Sequence, residues 1–169
     1  MKFALPAAAA ALLSLWIFFI RRRLTILSED VDQAFKRFHA QQLCRINALA
    51  ALVELTNEYA PGAVLARSDI VQACCAMVSS NSSIKDIGKR ERTMSQILTQ
   101  ITQAARTHPE IRNDTRYSKC ISEMELYESL SSTNRLLYNS SVNKLNRELR
   151  RFPVSGRLLG FRKREYIEG

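Results

Sequence analysis

Helix breakers are scarce in this sequence: five glycines and four prolines stand among 169 residues. No stretch alternates apolar and polar residues as a half-buried strand does, so no sheet is expected. The cysteines, Cys44, Cys74, Cys75 and Cys120, form no CxxC pair, and His39 and His108 are not near them at ligand spacing. Reduced thiols packed in a core are expected, and a disulfide framework is not. GxSxG, HExxH and P-loop motifs are absent. Paired carboxylates such as Glu29/Asp30 and Glu123/Glu125 read as solvated helix faces. No catalytic residue, metal ligand or cofactor site is assigned.

Acidic residues are the minority charge, 16 against 25 basic, for a net charge of +9. Four of the cations, Lys2, Arg21, Arg22 and Arg23, flank one apolar stretch; the rest of the chain keeps 21 basic and 16 acidic residues. For nucleic acid there is no stacking-aromatic motif and no zinc spacing, so none is expected as a partner. An anionic lipid surface is the nearer acidic partner.

The apolar stretch runs from Phe3 to Ile20, broken only by Pro6 and Ser14. As a helix of about 18 residues it covers about 27 Å, slightly less than a hydrocarbon core of about 30 Å. Arg21 can snorkel, and Trp16, Phe18 and Phe19 suit an interface. A cleaved signal peptide is the rival reading. Against it, the run passes straight into Arg21-Arg22-Arg23 with no small-residue cleavage site. The cluster of positive charge after the run predicts a membrane anchor with a short N-terminus outside and the remaining chain in the cytoplasm.

The remainder reads as four helices. The first is expected from Ser28 as N-cap, with Glu29 and Asp30 behind it. It carries Val31, Phe35, Phe38, Leu43, Ile46, Leu49 and Val53, and stops near Tyr59. Pro61 is placed to open a second, bearing Val64, Leu65, Ile70, Val71, Cys74 and Met77, and Ser79–Ser83 is a loop. The third carries Ile84, Ile87, Met94, Ile97, Leu98 and Ile101 and ends at His108-Pro109. Asn113-Asp114-Thr115 caps the fourth, which carries Tyr117, Cys120, Met124, Tyr127, Tyr138, Val142, Leu145, Leu149 and Phe152 until Pro153 stops it.

Two features stand out. Glu128, Arg135, Asn139 and Asn146 line one stripe of the fourth helix. The stripe is either a wet face or a partly buried network reaching Gln42 or Arg45 on the first helix. The end of the chain interleaves Arg147, Arg150, Arg151, Arg157, Arg162, Lys163 and Arg164 with Phe152, Leu158, Leu159, Phe161 and Tyr166. This is either a tail folded back on the bundle or a membrane-surface patch. An up-and-down bundle brings the end of the fourth helix back beside Arg23, so the patch would comprise Arg21, Arg22, Arg23, Arg150, Arg151, Arg157, Arg162, Lys163 and Arg164.

Tyr138-Asn139, Val142, Asn146, Arg151-Phe152-Pro153, Leu159-Gly160-Phe161 and Tyr166-Ile167-Glu168 follow one another as in the C-terminal signature of the LemA family. Val31-Asp32-Gln33-Ala34, then Gln42-Leu43, Arg45 and Leu52-Val53-Glu54, are similar to that family's opening segment. Pro109 resembles the proline of its central turn, and Glu128 with Arg135 resembles a further pair. The sequence departs from the pattern at Leu49-Ala50-Ala51, His108-Pro109 and Leu145-Asn146. The resemblance covers about Ser28 to Glu168. It implies a helical bundle behind one anchor, in bacteria, in a family without an established enzymatic activity and with some members linked to membrane-organelle formation.

The expected fold is all-α: an antiparallel up-and-down four-helix bundle after one transmembrane helix. Residues 1–27 form the anchor, 28–153 the bundle and 154–169 the basic, aromatic tail. The expected function is a non-enzymatic adaptor or scaffold, with membrane remodelling or anionic-lipid binding as the alternative. Its partners would be the bilayer and a membrane or cytoplasmic protein. The sequence leaves that protein's identity and the oligomeric state open.

Overall fold

In the computed structural model, residues 4–64 and 84–167 are described; the side chains of 4–10, 85, 86, 154 and 155 lie outside the description. Every regular element among these residues is helical: α1 Ala4–Tyr59, α2 Lys85–Thr107, α3 Pro109–Asn113, α4 Thr115–Arg151 and α5 Pro153–Leu158. The second expected helix after Val64, with Cys74, and the Ser79–Ser83 loop fall outside the described residues.

The expected boundary at Ser28 is absent, because α1 passes through it unbroken. Nothing between Ile20 and Tyr59 breaks a helix: no proline or glycine occurs there. The inward stripe also continues across the boundary. Ile20, Leu24, Leu27, Val31, Phe35, Phe38, Gln42, Arg45, Leu49, Leu52 and Thr56 are spaced by four and three residues in turn, except for two successive fours at Leu27-Val31-Phe35, and all are buried or half-buried. That is the heptad spacing of a helix presenting one seam to its neighbours. Leu43 is off the seam and 38% exposed, so it is not part of the inward ladder.

Local chemistry sets the helix ends. After Tyr59, the N–H of Ala63 donates to Ala60 O at 3.1 Å, and Gly62 has φ +83°. Ala60-Pro61-Gly62-Ala63 is thus a type II turn, with proline and glycine where that turn needs them. Pro61 makes a turn here and does not open a helix. His108 is extended and ends α2, and Pro109 then starts α3, a short helix not foreseen in the sequence. Asp114 caps α4: its Oδ1 accepts the Arg116 backbone N–H at 2.7 Å. The Arg116 guanidinium and backbone N–H, bonded to Asp114, hold its carboxyl below the usual carboxylate range.

The helices divide into two compact units, Met1–Phe35 with Leu137–Tyr166, and Lys36–Leu136 with Ile167–Gly169. In the second unit, Ile46, Leu49, Leu52, Val53, Met94, Ile97, Ile101 and Met124 form one core, with Cys120 and Tyr127 packed against it. Burial pushes the Cys120 thiol up from its ordinary pKa, consistent with a free packing thiol. Cys44 is also free and half-buried. In the first unit, α1 and the end of α4 run side by side. The Trp16 and Phe152 rings meet edge to face at 6.1 Å, and the Phe35 and Tyr138 rings meet at a tilt with centroids 5.6 Å apart. The end of α4 therefore returns beside the stretch of α1 that ends in the three arginines.

Among the described residues no helix is long and apolar enough to cross a membrane. The expected span begins at Phe3, outside those residues, and its side chains up to Ala10 lie outside as well.

Candidate functional site

In the second unit the heptad seam carries polar residues where apolar ones are the rule. Gln42 and Arg45 follow Phe38 on α1, Glu91 lies between Ile87 and Met94 on α2, and Glu128 and Ser131 follow Met124 on α4. They meet. Arg45 Nη1 donates to both oxygens of Glu91, at 2.7 and 3.0 Å, and its Nη2 lies 3.5 Å from Glu128 Oε2. Gln42 Nε2 donates to Glu91 Oε1 at 2.9 Å and to Ser131 Oγ at 2.8 Å. The Arg45 side chain is only 7% exposed, so its charge is largely out of water and depends on these two carboxylates.

Beside the network opens a cavity of about 480 Å³ whose walls include Arg45, Gly88, Glu91, Arg92, Glu128 and Arg135. The stripe read from the sequence thus divides. Gln42, Arg45 and Glu128 come together as a network. Arg135 lines the same cavity but makes no salt bridge among the described residues, because Glu128 turns to Arg45 instead. Two members, Glu91 and Ser131, were not read from the sequence. An acid at a seam position was the legible signal for Glu91, hidden in the charged run Lys89-Arg90-Glu91-Arg92.

The other stripe residues belong to the first unit. Asn146 is buried, and its amide reads the backbone of Arg164 in both directions. Asn146 Nδ2 donates to Arg164 O at 2.9 Å, and Arg164 N–H donates to Asn146 Oδ1 at 3.0 Å. Eight residues earlier on α4, the Tyr138 hydroxyl donates to Glu165 O at 3.0 Å. Burial raises the Tyr138 pKa, which keeps the phenol protonated and able to donate. Asn139 is half-buried. Together Tyr138 and Asn146 hold residues 164–165 extended along α4.

The approach to this clamp depends on one glycine. At the end of α5, Phe161 N–H donates to Gly156 O and Gly160 N–H to Arg157 O, with Gly160 at φ +80°. This is the Schellman arrangement, which requires a left-handed residue at the position Gly160 fills. The tail is therefore clamped onto its unit. Arg164 does not belong to a free basic patch, since its guanidinium donates to Asp32 at 3.1 Å.

The other cations of the expected patch are exposed: Arg21, Arg22, Arg150, Arg151, Arg157, Arg162 and Lys163. Arg150, Arg157, Arg162 and Lys163 share a cavity of about 710 Å³ with Leu149 and Phe161. Arg23 is committed elsewhere, its Nη2 bound to Glu148 Oε1 at 2.9 Å. Glu148, buried at the end of α4, was not singled out in the sequence. Among the described residues no group of His, Cys, Asp and Glu is placed to hold a metal ion.

Among the described residues, the groups brought together here are not a nucleophile, a base and an anion hole. What the geometry does assemble is a partly buried charge network in one unit and a clamped tail with cations around it in the other. The LemA family model matches the chain over residues 34–169, a range that holds the network, the clamp and the tail. No curated protein matches the chain.

Proposed function

The chain belongs to the LemA family, and from that premise we propose that it is a membrane-anchored, non-enzymatic adaptor of the bacterial inner membrane. In this reading one N-terminal helix spans the bilayer, and an up-and-down four-helix bundle stands on its cytoplasmic side. The observation that carries the anchor is a run of bare apolar surface on α1. Leu12, Leu13, Leu15, Trp16, Ile17, Phe18 and Phe19 are each 40–68% exposed. Covering such side chains is worth about 1.5–3 kcal/mol each, so leaving seven of them in water would cost on the order of 10 kcal/mol. A bilayer removes that cost. Exposed Arg21 and Arg22 follow directly, as at a cytoplasmic membrane boundary.

The adaptor role rests on how the polar side chains are used. Gln42, Arg45, Glu91, Glu128 and Ser131 hold one another and so set helix register. Arg92 and Arg135 stay available on the cavity wall for a protein partner. Topology tests the anchor: a reporter active only in the cytoplasm, fused after Gly169, gives signal, and a periplasm-only reporter is silent. In-cell crosslinking from positions around Arg92 and Arg135 tests the adaptor. Specific protein adducts are expected, and adducts to lipid alone would overturn it.

The second reading is anionic-lipid binding through the tail. It is favoured by the cavity that Arg150, Arg157, Arg162 and Lys163 surround with no carboxylate among its described lining residues. Cations near an anionic surface contribute about 1 kcal/mol each. Under this reading, Arg157→Gln with Arg162→Gln and Lys163→Gln reduces association with anionic vesicles and lowers its salt sensitivity.

A further inference from the structure

A second cleft in the first unit has a different make-up. Its walls are Phe19, Arg22, Arg23, Ile26 and Leu27 of α1 and Lys144, Arg147 and Glu148 of α4, around a cavity of about 610 Å³. Apolar side chains, Phe19, Ile26 and Leu27, and cations, Arg22, Arg23, Lys144 and Arg147, both line it. Glu148 is the only acid among its described lining residues, and that carboxylate is already engaged by Arg23 at 2.9 Å. Arg22, Lys144 and Arg147 are exposed and make no salt bridge among the described residues. Three cations therefore face a cleft whose one acid among the described lining residues is already paired.

We propose that this cleft binds the headgroup and upper acyl chain of one anionic phospholipid. The proposal rests on the membrane-anchor reading above and adds a discrete site to it. Charge complementarity selects the phosphate: Arg22, Lys144 and Arg147 converge on the cleft, and guanidinium and ammonium groups are good phosphate donors. The apolar side chains select a lipid over free phosphate. Phe19 and Ile26 are 57% and 50% exposed, and inorganic phosphate would leave both wet. The volume also suits a lipid, lying within the usual range of about 300–1,000 Å³ for ligand cavities. Position agrees with chemistry. Phe19 continues the exposed run Leu15-Trp16-Ile17-Phe18, so an acyl chain leaving the cleft along Phe19 stays on apolar surface. Lys144 and Arg147, one turn apart on α4, then sit where the headgroup would be. This site shares no residue with the cavity of the tail.

Trp16 is the only tryptophan in the chain and lies one helical turn from Phe19, so it reports on a lipid seated there. The test uses the full chain in phosphatidylcholine nanodiscs. These carry equal small fractions of either brominated phosphatidylglycerol or brominated phosphatidylcholine. Trp16 emission is expected to be quenched more by the brominated anionic lipid. At about fivefold per cation, Lys144→Gln with Arg147→Gln should remove most of that preference. Arg157→Gln with Lys163→Gln removes the same charge outside the cleft and should leave it in place. Equal quenching by the two lipids, or equal loss in both double variants, would overturn the site and leave only diffuse attraction. Relief of quenching by millimolar inorganic phosphate would overturn the lipid as occupant. Absence of quenching by both lipids would show that α1 is not in the bilayer, and the anchor reading would fall together with the site.

Discussion

Replacing Glu91 by Gln removes the main counter-charge of Arg45 while keeping the side chain's shape. Arg45 is 7% exposed, and Glu91 accepts from it at 2.7 and 3.0 Å. Removing one partner of a buried ion pair costs about 3–5 kcal/mol, because the other charge is left uncompensated. Two features reduce that figure. Glu91 is itself 35% exposed, so part of its field is screened. Glu128 stays 3.5 Å from Arg45 Nη2 and takes up some of the charge. The expected loss is about 2 kcal/mol, or about 4–8 °C in Tm for a chain of this size. Urea or thermal unfolding of the full chain in detergent, followed by circular dichroism, measures it. Arg135→Ala serves as the internal comparison. Arg135 is half-buried and unpaired among the described residues, so its loss is expected to stay within about 0.5 kcal/mol. The reasoning is refuted if Glu91→Gln costs no more than Arg135→Ala. A large loss at Arg135 would instead restore it to the network.

Asn146→Ala removes both hydrogen bonds to the Arg164 backbone and should cost about 1–3 kcal/mol. Limited trypsin digestion should then cut at Arg162, Lys163 or Arg164 much faster than in the parent, and unchanged cutting would contradict the clamp. The pKa of His39 is lowered by burial and by the charge of Arg90, so the unfolded chain binds its proton more readily than the folded one. That stability is complete above about pH 6.5 and declines as pH falls through the window below it. His39→Gln should flatten the dependence of the urea midpoint on pH between about 5 and 7. Asp114, with its pKa depressed by Arg116, contributes stability above about pH 4 that is lost as pH falls further. Asp114→Asn should remove that acid limb.

Sequence alone determined what depends on neighbours along the chain. The apolar periodicity sets the helical class and the inward face of each long helix, since residues three and four apart share a side. Pro61-Gly62, His108-Pro109 and Gly160 mark chain reversals or helix ends through backbone geometry that needs no distant partner. Even there the kind of element escaped local reading: Pro61 makes a turn, and Pro109 starts one more helical turn. Continuity through Ser28 was legible only in the heptad spacing, because a capping residue inside a strong seam is overridden by packing. Tertiary structure decided which polar residues meet. Arg45 could have met Glu123 or an acid elsewhere; it meets Glu128 at 3.5 Å and, closer at 2.7 Å, Glu91, 46 residues away. Asn146 binds a backbone 18 residues further on, and Arg164 meets Asp32 across 132 residues. Such choices depend on the register of one helix against another, to within about one residue's rise of 1.5 Å. Hydrophobic periodicity gives the facing side of each helix and leaves that register open.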